Sequence, residues 1–129
     1  MKLMRLTAIL TLMAGPALAD PVEGVWQTKP DDNGNYGHVQ VAPGSDKICG
    51  VLIKSFDGTG APFASPNIGK QIIWNMVAEG EGYYDSGKVW SPDRDKTYNA
   101  NMTLSGDTLG LKGCVIGICR DGGTWMRVK

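Results

Sequence analysis

From Thr97 to Leu104 the chain alternates without a break. Tyr98, Ala100, Met102 and Leu104 are apolar, while Thr97, Asn99, Asn101 and Thr103 are polar. A two-residue period belongs to a strand with one buried face and one wet face. Ser105-Gly106-Asp107 follows, and then Leu109 and Leu111 alternate with Thr108, Gly110 and Lys112. Two alternating runs around a tight turn read as a β-hairpin. Asn33-Gly34 is the dipeptide of a type I′ turn and is expected to join Gly24–Thr28 to Tyr36–Ala42. Further strands are expected at Ile48–Lys54, Lys70–Ala78, Tyr83–Trp90 and Thr124–Val128. Glu79-Gly80-Glu81-Gly82 and Ser91-Pro92-Asp93 supply turns, and the longest irregular stretch runs from Ser55 to Gly69. With 18 glycines and no helical periodicity beyond the first residues, the chain reads as all-β. About eight short strands in an up-and-down meander can close on themselves and abolish their edges. A two-sheet sandwich is the alternative.

The first residues follow a different rule. Lys2 and Arg5 precede an apolar run from Leu6 to Met13, Gly15-Pro16 breaks it, and Ala17-Leu18-Ala19 presents small residues before Asp20. That order predicts a secretory signal peptide at 1–19, and the apolar run is too short to span a bilayer. No cysteine follows directly, so a lipid anchor is not expected. The protein is expected in the periplasm or secreted, with 20–129 as a single β-barrel domain.

Removing Lys2 and Arg5 from the 13 basic residues leaves 11 against 13 acidic ones, a net of −2. There is no basic stripe for nucleic acid and no polybasic membrane patch. Nor is there a cofactor signature. Three cysteines in an oxidising compartment invite pairing. A Cys114–Cys119 bridge would close a small loop around Val115-Ile116-Gly117-Ile118, stabilising by roughly 2 kcal/mol on the chain-entropy estimate. It would leave Cys49 as a free thiol. Pairing of Cys49 with Cys114 or with Cys119 is the less favoured arrangement. His38 alternates with Val39 and Val41 on the polar side of a strand, and no serine sits in a nucleophile elbow. Asp31, Asn33 and Asn35 open like a calcium loop, but Tyr36 and Ala42 occupy the places of the required glycine and glutamate. Neither catalysis nor metal binding is expected.

The aromatic and methionine residues are the better lead. Trp26, Trp74, Trp90 and Trp125 fall on four different predicted strands, accompanied by Met76, Met102 and Met126. In a closed barrel such residues fill the interior or line a pocket. Face alternation selects Trp74, Met76, Trp90, Tyr98 and Met102 as candidate pocket lining, with the Tyr98 hydroxyl as a polar contact on an apolar wall.

Gly24-Val25-Trp26 resembles the Gly-x-Trp element of lipocalin-like, or calycin, barrels. In those folds the tryptophan closes one end and a basic residue near the last strand packs over it. The resemblance thus implies a closure formed by Gly24, Trp26 and Arg127, with Arg120 as second choice. A longer pattern covers the whole mature chain. It comprises Glu23-Gly24-Val25-Trp26, Ile48-Cys49-Gly50, Gly69, Gly87-Lys88-Val89-Trp90-Ser91-Pro92-Asp93, Asp95-Lys96-Thr97-Tyr98, Leu104, Asp107-Thr108-Leu109, Gly113-Cys114 and Thr124-Trp125-Met126-Arg127-Val128. These segments resemble the bacterial exported family catalogued as domain of unknown function 2147. The resemblance implies a lipocalin-like β-barrel and carries no activity, substrate or catalytic residue. Relatives often have a cysteine at the position of Gly44, and its absence here orphans Cys49. The segment from Phe56 to Ile68 is also shorter than in many relatives.

The reading that follows is a non-enzymatic exported barrel that binds a small apolar or amphipathic ligand in its mouth. The alternative is a solid-core envelope interaction or inhibitor protein. That protein would act on an envelope partner through the 55–69 loop, where Phe56, Pro62 and Phe63 would be exposed. A thiol enzyme using Cys49 is the remote third reading.

Overall fold

The computed structural model describes residues 20–44 and 46–129. The expected signal peptide lies outside them. The described residues contain nine strands. They are β1 (Gly24–Gln27), β2 (Tyr36–Pro43), β3 (Ile48–Phe56), β4 (Pro62–Phe63), β5 (Gln71–Gly80), β6 (Tyr83–Ser91), β7 (Lys96–Ser105), β8 (Thr108–Val115) and β9 (Ile118–Arg127). Among these residues no helix is long and apolar enough to cross a membrane.

Every pairing is antiparallel, and β2 pairs with β3 as well as with β1. The ring β1-β2-β3-β5-β6-β7-β8-β9 returns to β1, while the two-residue β4 hangs on the end of β3. This closed eight-stranded barrel replaces the sandwich alternative, because no main strand is left with a free edge. The seam between β1 and β9 is the shortest in the ring, pairing Trp26 with Arg127 and Gln27 with Met126.

Alternation assigns the interior. β7 turns Ala100 and Met102 inward, and across it β8 turns Leu109 and Leu111 inward. Two positions on the inner wall require the smallest residue. A Cβ at Gly87 would fall 2.5 Å from Met76 Sδ, and one at Gly50 would fall 2.8 Å from Val39 Cγ1. Glycine there lets the large side chain of the adjacent strand lie over it.

The turns depart from expectation in three places. Asn33-Gly34 does not form a type I′ turn, because only Gly34 adopts a positive φ, of 82°. The Asp31 carboxylate instead accepts the N–H groups of Asn33 at 2.9 Å and Asn35 at 3.0 Å, folding an Asx turn. Those residues therefore have a structural employment. The left-handed pair occurs at Ile116-Gly117, with φ of 51° and 77°, between the paired residues Val115 and Ile118. Finally, β9 begins at Ile118 and not at Thr124. The Cys114–Cys119 disulfide joins directly opposed residues of β8 and β9, extending the ladder through the polar and glycine-rich run Arg120–Gly123.

Candidate functional site

The two ends of the barrel differ in chemistry. At one end, Trp26 is fully buried and its indole N–H donates to Val22 O at 2.9 Å. The Arg127 guanidinium lies 4.4 Å from the centre of the Trp26 ring. Arg127 Nη1 donates to Glu23 O at 3.0 Å, Nη2 to Pro21 O at 2.7 Å, and Nε to Asp107 Oδ1 at 3.0 Å. One planar cation thus stacks on the tryptophan and ties the chain entry to the last strand. Gly24 has room for this only without a Cβ, which would meet Lys129 O at 2.5 Å and Arg127 Nη1 at 2.8 Å. Beside them the buried Tyr84 hydroxyl donates to the Asp20 carboxylate. Burial, with that carboxylate bonded to it, holds the Tyr84 phenol well above its ordinary range. This end is shut.

The other end is open. A cavity of about 1120 Å³ enters the barrel where β2 begins and where β8 turns into β9. Its apolar wall is built by Val39, Leu52, Ile72, Val89, Leu111 and Trp125. Ser55, Trp90 and Tyr98 also face it, and its rim carries Lys29, Asp31, Asp32, Asp93, Arg94, Lys112, Arg120 and Asp121. None of the charged rim residues is buried. Trp90 is fixed in place, because its indole N–H donates to Asp95 Oδ1 at 3.0 Å and Lys70 Nζ lies 5.3 Å from its ring centre. The Tyr98 ring packs on the inner wall at Gly113, where a Cβ would meet Tyr98 Cβ at 3.3 Å.

Of the five residues selected from the sequence, Trp90 and Tyr98 line this cavity. Met76 and Met102 are fully buried in the core towards the shut end, and Trp74 is half-buried outside the core cluster. Trp125, one of the four tryptophans noted as filling the barrel or lining a pocket, also lines the cavity, together with Val39, Leu52, Ile72, Val89, Leu111 and Ser55, which were not selected. All but Ser55 were visible as inward members of alternating or apolar runs. Their position relative to the mouth required knowing which end Trp26 shuts.

The rim has one further feature. In the β8–β9 hairpin Val115, Ile116 and Ile118 are 50%, 94% and 66% exposed. The disulfide stands directly behind them. On the 55–69 segment Phe63 and Ile68 are exposed at the surface, whereas Phe56 stacks on Tyr36 with ring centres 5.0 Å apart. His38 lies on the outer wall, its Nε2 3.2 Å from Gln27 Oε1 and its ring 4.7 Å from that of Phe56. Partial burial, and secondarily the Lys54 charge, lower the His38 pKa below 6.5. Cys49 is half-buried and unbridged. Its Sγ would lie 3.4 Å from a Cβ placed at Gly44.

An eight-stranded ring, shut at one end by a stacked Trp–Arg pair and open at the other, defines the lipocalin-like class of β-barrel. Residues 24–127 match the family described as uncharacterised protein conserved in bacteria (DUF2147), and the chain belongs to that family. Among solved structures it is similar to protein HP1028 from the human pathogen Helicobacter pylori, described as belonging to the lipocalin family. The two share 16% identity with a TM-score of 0.66, over 84% of this chain and 83% of that one. At that identity the likeness is one of fold. No curated protein matches the sequence.

Proposed function

We propose that this chain is an exported, non-enzymatic barrel that takes up a small apolar or amphipathic ligand through its open mouth. The observation that carries the reading is the cavity of about 1120 Å³, walled by aliphatic and aromatic side chains and open at one end only. A pocket of that kind gains affinity from apolar burial, about 25 cal/mol per Å² before the costs of binding. Trp90 and Tyr98 are the aromatic contacts in this reading, with Met76 and Met102 supporting the wall from below. A location in the periplasm or outside the cell agrees with the disulfide, which cytosolic thiol buffers oppose.

The test is native mass spectrometry of the protein recovered from its own compartment, with solvent extraction of bound material. A discrete co-purifying mass that quenches tryptophan fluorescence when added back is the expected result. A bare protein mass, with no fluorescence response to a panel of lipophiles, would refute the reading. The second reading, an envelope protein partner docked on the 55–69 segment, draws support from the exposed Phe63 and Ile68. Crosslinking from a probe at residue 64 separates the two.

A further inference from the structure

The cavity wall holds an unanswered polar group just inside the mouth. Ser55 is the one buried polar or charged side chain among the described residues, with 7% of its surface exposed. It pairs across the sheet with Gly37, where a Cβ would fall 2.6 Å from the buried Leu52 Cδ1. Residues paired across strands point to the same face, so the Ser55 side chain points inward with Leu52. It lines the cavity. No hydrogen bond links its hydroxyl to a described residue. A buried hydroxyl left without a partner is destabilising, and such a group persists where something else completes the bond. Tyr98, on β7 in the far wall, lines the same cavity. Its hydroxyl likewise has no protein partner among the described residues.

Charge is arranged the other way. Every charged side chain on the cavity lining stands at the rim, and none of these is buried. Four are cationic, namely Lys29, Arg94, Lys112 and Arg120, and four are anionic, namely Asp31, Asp32, Asp93 and Asp121. The rim therefore shows no preference for an anion or a cation. A carboxylate bonded to the Ser55 hydroxyl would give up water for a neutral partner, and the rim it passes carries as many anions as cations.

We infer that the cavity selects a neutral amphipath, with its tail on the aliphatic wall and a hydroxyl or carbonyl oxygen bonded to Ser55. The inference rests on the ligand-binding reading above and narrows it to a chemical class. Neutral alcohols, esters and ketones qualify, whereas free fatty acids do not.

The experiment titrates the exported protein with four probes of matched chain at pH 7.5, following tryptophan fluorescence. The probes are octan-1-ol, methyl octanoate, octanoate and 1-chlorooctane. The alcohol and the ester are expected to bind about tenfold or more tightly than octanoate. Ser55→Ala should weaken octan-1-ol roughly five- to tenfold and leave 1-chlorooctane within about twofold. Ser55→Cys, a near-isosteric weak donor, guards against a packing artefact and should shift octan-1-ol in the same direction. Tighter binding of octanoate would overturn the inference. So would a Ser55→Ala variant that binds octan-1-ol unchanged, the outcome expected if only water bonds the hydroxyl. Failure of all four probes to bind would instead count against ligand binding itself.

Discussion

At the scale of single residues, Arg127 and His38 respond to substitution for different reasons. Arg127 donates to two backbone carbonyls, stacks on Trp26 and pairs with Asp107, which is itself largely exposed. Exposed ion pairs contribute little, whereas the carbonyl bonds and the stacking act at a partly buried closure. Arg127→Met is therefore expected to lower the free energy of unfolding by about 2–3 kcal/mol, against less than about 0.5 kcal/mol for Asp107→Asn. Urea denaturation measures both, and equal losses would contradict this division. His38 adds a pH term. Its folded-state pKa is below 6.5, so on acidification the unfolded chain binds the proton first. The His38 contribution is thus complete above pH 6.5 and is lost as the pH falls through that value towards the folded pKa. An NMR titration should place the imidazole midpoint below 6.5. The difference in stability between the protein and His38→Gln should shrink with acidification. A midpoint at or above the ordinary value would contradict the assignment.

At the scale of elements, the loop from β2 to β3 can take a crosslink. The 3.4 Å between Cys49 Sγ and a Cβ at Gly44 suits a disulfide with little backbone movement. Gly44→Cys is expected to oxidise spontaneously with Cys49, abolish the free thiol and stabilise by about 2 kcal/mol. A thiol count and a thermal scan with and without reductant check this, and two persisting free thiols would disprove it. The elements also show where sequence patterns stop being informative. The hairpin of β7 and β8 was legible because each residue of Thr97–Leu104 obeys one period and the turn is made by Ser105-Gly106-Asp107. The start of β9 was not, since Arg120-Asp121-Gly122-Gly123 carries no alternation and is held in the ladder by its neighbours and the disulfide. Asn33-Gly34 misled because the Asp31 carboxylate outcompeted the tighter turn for the same N–H groups.

At the scale of the whole molecule, the barrel has a shut end and an open one, and on the proposed ligand-binding reading substitutions should sort accordingly. Met102 is fully buried towards the shut end, whereas Trp90 faces the open cavity and is half-buried. Met102→Ala should cost about 2–5 kcal/mol in stability and leave ligand affinity nearly unchanged. Trp90→Ala should weaken binding several-fold at little cost to folding. Titration and denaturation of the two variants test this, and the reverse pattern would refute the division. Alternation alone could not have ranked them, because Tyr98 and Met102 share one face of β7. Only the direction of the strand relative to the Trp26–Arg127 closure separates mouth from base. Ser55 was illegible for a deeper reason. Its hydroxyl becomes isolated only when the ring closes around it.

The short seam between β1 and β9 bears on how the molecule comes into being. Most neighbouring strands are joined by short turns, but Glu23 and Arg127, which meet at the seam, are 104 positions apart. Bringing such distant segments together carries the largest loop-closure entropy in the ring, and its reward arrives only with the final contacts. The meander is thus expected to assemble first as an open curved sheet with two unprotected edges. The barrel is then slow to mature relative to its own hairpins. Until Arg127 settles over Trp26, each molecule offers its neighbours the unsatisfied backbone that the finished ring conceals.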